Sequence, residues 1–173
     1  MQSGLSQKWW INLAGFQLAW WSAILLTHYS LPVLVILLGG HLLFHRHPLN
    51  EFFVLLLCGL TGFWVDLLLT VSGVFTFAPA VFPPVWLLLL WFCFSATLKQ
   101  SLHFFYGRWL VASVCGGVSA SLTYLAAAKL GAVTITLPFV PGFIVLMLVW
   151  MALFPLLLWL SVQCCPEESK GAF

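Results

Sequence analysis

The chain has 173 residues, of which 63% are hydrophobic and only 6% charged, a balance that no water-soluble fold of this size could cover with polar surface. The bilayer is therefore the expected solvent, and six spans of about 20 residues would consume nearly all of the chain, leaving no soluble domain. A formal charge of +2 on scattered carriers forms no basic stripe, which sets nucleic-acid binding aside.

The expected architecture is all-α, a single polytopic transmembrane helix bundle. Its six spans are predicted at about 9–28, 31–45, 52–73, 86–106, 110–131 and 142–163, each bounded by a charge, a histidine, a proline or a glycine. Lys8 followed by the apolar run from Trp9 superficially resembles a secretory leader. The run is too long and too aromatic for one, and no small-x-small cleavage pattern follows, so it reads as a retained first span carrying Asn12 and Gln17. The second span, with His41 in its cytoplasmic half, is short at about 22 Å, which asks for snorkelling flanks or partial burial inside the bundle.

In the third span Gly59, Gly62, Asp66, Thr70 and Gly73 recur at spacings of three and four and so share one face. Small residues admit a neighbouring helix, and Asp66 among them points into the bundle. It reads either as a packing residue bonded to a tyrosine, a threonine or Lys129, or as a proton or cation site or buried acid/base. The uncharged segment from Val74 to Val85 (VFTFAPAVFPPV) joins the third and fourth spans. It reads as a connector in the outer interface, with a re-entrant lid as the other reading.

The fourth span carries Lys99, Gln100 and His103, with Lys99 and His103 four apart on one helical face. Together with Asn12, Gln17 and His41 they define a candidate polar pocket in the cytoplasmic half for an anionic headgroup, Lys99 supplying charge and His103 acting as donor or general base. Snorkelling of Lys99 to the interface is the plainer alternative. Asp66 and His103 are the candidate catalytic groups. The fifth span offers a second small stripe, Gly117, Ser121, Tyr124, Ala128 and Gly131, and the sixth contains Pro155, which removes a backbone hydrogen bond.

Lys8, Arg46, Arg108 and Lys170 all fall on one side and only Lys129 towards the other, which predicts both termini in the cytoplasm of a bacterial inner membrane. Cys58, Cys93 and Cys115 lie within spans and Cys164 and Cys165 at the end of the last, so no disulfide framework is implied. His41, His45 and His47 lack a second histidine box, and no metal or cofactor is expected. No H-E-x-x-H, G-x-S-x-G, Walker or Rossmann motif occurs.

Asn12-Leu-Ala-Gly-Phe16-Gln17-Leu-Ala-Trp20, Trp64-Val-Asp66 with Gly73-Val-Phe75, and Leu90-Trp91 to Thr97-Leu98 with Ser101-Leu102 resemble a bacterial family of small multi-pass inner-membrane proteins classed as a domain of unknown function. The likeness spans nearly the whole chain. It implies a multi-pass membrane protein and a link to membrane-lipid modification, without any catalytic role. The leading expectation is a protein that binds or helps to modify a membrane lipid or fatty-acyl group. The alternatives are a small-molecule-binding membrane subunit of an energy-coupling-factor-like transporter, docking a partner protein through Ala19 and Ala23, and a structural or assembly protein without ligand.

Overall fold

The computed structural model describes residues 9–77 and 82–163. Among these residues six α-helices form: α1 (Trp9–Leu26), α2 (Leu31–Leu43), α3 (Pro48–Val71), α4 (Val85–Leu98), α5 (Trp109–Lys129) and α6 (Phe139–Gln163). Four helical segments are long and apolar enough to cross a membrane, Trp9–Leu43, Pro48–Val71, Trp109–Lys129 and Phe139–Gln163, whereas Val85–Leu98 is shorter.

The first of these segments is not one rod. In a straight helix Asn12 and His41 would stand about 43 Å apart at 1.5 Å per residue, yet both line the same cavity. The chain reverses between α1 and α2 through a 3-10 turn at Thr27–Ser30, where Thr27 adopts φ +47°, and Pro32 in the first turn of α2 suits the restart. The short second helix is thus the return arm of a hairpin.

α3 and α5 end alike. Gly73 (φ +78°) and Gly131 (φ +83°) follow their last turns. Val74 N–H bonds Leu69 O and Ala132 N–H bonds Ala127 O, with Gly73 N–H on Thr70 O and Gly131 N–H on Ala128 O. This paired six-to-one and five-to-two pattern needs a left-handed residue, which glycine supplies without strain. Each end then delivers a two-residue strand, β1 (Phe75–Thr76) and β2 (Thr134–Ile135), and the two pair antiparallel with Phe75 opposite Ile135. The described part of the segment 74–85 therefore departs from the expected interfacial connector. Phe75 and Phe77 are buried, Phe75 stacking on Tyr124 at 5.0 Å between ring centroids.

α3 packs on α4, α5 on α6, and the α1–α2 hairpin on α4. The two small-residue stripes take different partners. A Cβ at Gly62 would meet the Trp91 ring of α4 and one at Gly59 the Phe92 ring, while a Cβ at Gly117 would meet Met147 and Met151 of α6. α6 runs unbroken through Pro155.

The fourth span ends earlier than its hydropathy implies. α4 stops at Leu98, and residues 99–108 form turns around a short 3-10 piece at His103–Phe105. Lys99 and His103 therefore do not share a helical face. Connections 44–47 and 99–108 lie at one end of the bundle with Arg46, Lys99 and Arg108; the strand pair and Lys129 lie at the other. Lys8, Lys170, Cys164 and Cys165 fall outside the described residues.

Candidate functional site

The polar residues sort into two groups at opposite ends. Near the strand-bearing end, Asp66 is 1% exposed. Trp91 Nε1–H donates to its Oδ2 at 2.7 Å, and the Tyr124 hydroxyl lies 2.7 Å from Oδ1 and 2.8 Å from Oδ2. Trp150 in turn contacts the Tyr124 ring at 6.2 Å between centroids and stacks on Trp91 at 5.4 Å with 9° between planes. Thr70 Oγ1 donates to the main-chain carbonyl of Asp66, not to its carboxyl group, and Lys129 is exposed. Among the described residues no cation pairs with Asp66. A carboxylate here is an acceptor with neutral donors only, the arrangement in which its charge is most dependent on what else enters the site.

Trp91, Tyr124 and Trp150 separate Asp66 from a cavity of about 260 Å³. Phe16, Trp20 and Ile24, one stripe of α1, form one wall, and Gly116, Ala120 and Thr123 of α5 form the opposite one. The cavity runs the height of the bundle, from Phe77 and Trp86 at the strand-bearing end to Leu102 and Phe105 at the other. Its walls are almost wholly apolar and aromatic, as binding sites for hydrophobic molecules are.

At the Arg46 and Arg108 end, the sequence-predicted set does not converge. Asn12 is buried and committed within the chain, its Nδ2 donating to Ala96 O at 2.9 Å and its Oδ1 accepting from Ser101 Oγ at 2.7 Å. Asn12 and His41 line a second cavity of about 380 Å³ between α1, α2 and α4. Gln17 is exposed, and Lys99, Gln100 and His103 line neither cavity. His103 packs its ring on Tyr106 at 4.8 Å, and the Gln100 side-chain amide is buried without a hydrogen bond.

The residue that sequence reasoning passed over is Glu51, 1% exposed in the first turn of α3. Its Oε1 lies 2.9 Å from His41 Nε2, and its Oε2 3.6 Å from His45 Nε2. No role was assigned to Glu51 from the sequence; an acidic side chain in a helix's first turn was the available signal. Nearby, the Tyr106 hydroxyl shares a hydrogen bond of 2.9 Å with Ser161 Oγ of α6. Among the described residues no group of three or more His, Cys, Asp and Glu is arranged to hold a metal ion. Glu51→Ala would leave His41 without its acceptor and is expected to cost about 1–3 kcal/mol, read as a lower melting temperature in detergent; Glu51→Gln should cost less. Unchanged melting of the alanine variant would show that the cluster contributes nothing to the fold.

The family described as protein of unknown function (DUF2878) matches residues 9–156. The chain belongs to that family. No curated protein and no solved structure matches it.

Proposed function

We propose that this member of the DUF2878 family crosses a bacterial inner membrane six times with both termini in the cytoplasm, and that it holds the hydrocarbon part of a membrane lipid, or a comparable apolar molecule, in the cleft between α1 and α5. The alternation of six antiparallel helices and the placement of Arg46, Lys99 and Arg108 at one end support the orientation. α4 has only 14 residues, about 21 Å of helix, shorter than a typical hydrocarbon core, and the turns that follow it carry Lys99, Gln100, His103 and Arg108 to the end that also holds Arg46.

The observation that carries the binding reading is the cavity of about 260 Å³ walled by Phe16, Trp20, Phe94, Ala120, Tyr124 and Phe154. A cleft this size lined almost wholly by apolar and aromatic side chains suits an apolar guest. It replaces the polar cytoplasmic pocket as the favoured site, because Asn12 and His41, the two side chains of that pocket that line a cavity, already bond Ala96, Ser101 and Glu51. The transporter alternative loses its motif, since Ala19 and Ala23 are 0% exposed within the chain and offer no surface to a partner.

Lipid extraction and mass spectrometry of the purified protein test this. Ala120→Phe, which fills the cleft from α5, is expected to reduce the acyl species retained per protein at least about fivefold without lowering melting, whereas Lys99→Ala/His103→Ala should retain them like wild type. Equal retention in Ala120→Phe and wild type would refute binding in the cleft. Loss in the Lys99→Ala/His103→Ala protein alone would restore the cytoplasmic pocket.

A further inference from the structure

The cleft is not uniformly apolar in its electrostatics. Phe77, Trp86, Trp91, Tyr124 and Trp150 gather in the half nearer the strand pair; Phe77 contacts Trp86 at 6.3 Å, Trp150 contacts Trp91 at 5.4 Å and Tyr124 at 6.2 Å, and Phe75 bridges the two groups, 6.3 Å from Phe77 and 5.0 Å from Tyr124. Behind Trp91 and Tyr124, bonded to both, is the carboxyl group of Asp66, which no cation of the described residues pairs with. Aromatic faces carry the negative side of a quadrupole, and rings that line a desolvated cavity attract a poorly hydrated cation. In its ionised form Asp66, one side chain behind them, deepens the same potential, because low-dielectric surroundings screen it little. A compact, strongly hydrated ion such as sodium needs several oxygen ligands, and the carboxylate oxygens of Asp66 are already used by Trp91 and Tyr124. An ammonium wrapped in carbon would need none.

We propose that this half of the cleft binds an organic ammonium ion, quaternary or protonated, with the aromatic cluster around its nitrogen, Asp66 as counter-charge and its hydrocarbon part in the remainder of the cleft. The proposal rests on the cleft being a binding site and adds the charge of the occupant. Two sources present this chemistry, a free hydrophobic amine and the headgroup of a phosphocholine lipid.

Trimethylphenylammonium and tert-butylbenzene have nearly the same shape and differ in one nitrogen and its charge. Each is titrated calorimetrically into the full chain in neutral maltoside micelles and corrected against protein-free micelles. Both are expected to bind wild type; Asp66→Asn should weaken the ammonium at least about tenfold while leaving tert-butylbenzene within about twofold. Binding of tert-butylbenzene by the variant also certifies that its cleft is intact. If Asp66→Asn yields no folded protein, Trp86→Leu carries the test, with the ammonium weakened several-fold and the hydrocarbon spared. Tert-butylbenzene binding without ammonium binding, or with ammonium binding indifferent to both variants, overturns the charge assignment and leaves the cleft. Failure of both ligands removes the cleft reading and this proposal with it. Competition of bound trimethylphenylammonium by a short-chain phosphatidylcholine points to a lipid headgroup; competition by dodecyltrimethylammonium alone points to a free amine.

Discussion

Gly62→Leu is expected to prevent recovery of a folded, monodisperse protein. An ideal Cβ at Gly62 falls 2.1 Å from both Cε3 and Cζ3 of Trp91, far inside contact distance. The indole has nowhere to go: it is 4% exposed, stacked on Trp150 and bonded to Asp66. One methyl group would already cost about 1–3 kcal/mol by overpacking, and leucine adds a branched side chain at the same spot, forcing α3 and α4 apart. Fluorescence-detected gel filtration in mild detergent checks this, with Gly39→Ala as the control, because a Cβ at Gly39 meets nothing within 4 Å. A Gly62→Leu protein that elutes and melts like wild type would show that α3 and α4 do not approach as closely as described.

Asp66→Val should be nearly as damaging, for a reason of hydrogen bonding and not of volume. It strands the Trp91 Nε1–H and the Tyr124 hydroxyl, both of which have Asp66 as acceptor. Each donor left unsatisfied in an apolar core costs about 1–3 kcal/mol, so melting should fall well below that of Asp66→Asn, which keeps one acceptor oxygen. The diagnostic is non-additivity. Tyr124→Phe placed in the Asp66→Val background removes one stranded hydroxyl, so the double variant should melt above the single one, although Tyr124→Phe alone destabilises. Additive losses would mean that Asp66 and Tyr124 act independently.

Much of this arrangement was legible in the residues. The six apolar stretches coincide with six helices to within a few residues at most ends, four helical segments being long and apolar enough to cross a membrane, and the spacing of Gly59, Gly62, Asp66 and Thr70 placed Asp66 on an inward face, where it is 1% exposed. The end of α4 was not legible, because the chain leaves helical geometry at Leu98 with no proline or glycine, and apolar residues recur beyond it at Leu102, Phe104 and Phe105. Hydropathy reports the cost of leaving water and is silent on backbone dihedrals. The partners of Asp66 and the importance of Glu51 were illegible for another reason. Trp91 and Tyr124 are 25 and 58 positions from Asp66 in the chain, and nothing local marks such a pair. The cleft, a property of how α1 and α5 fail to meet, has no signature in either helix alone.

The separation of Asp66 from its partners also sets a schedule for biogenesis. Helices enter the membrane from the amino terminus onward, so α3 arrives with its carboxyl group before either donor has been synthesised. An aspartate raises the apparent insertion free energy by about 2.5–3.5 kcal/mol at a helix centre, an upper bound for Asp66, which lies five residues before the end of α3, and α3 must offset its share with its own leucines and phenylalanines. Trp91 relieves part of that burden when α4 follows, and Tyr124 the rest only with α5. Until then the half-made protein carries a carboxyl group in an apolar helix without the two donors that satisfy it in the finished fold.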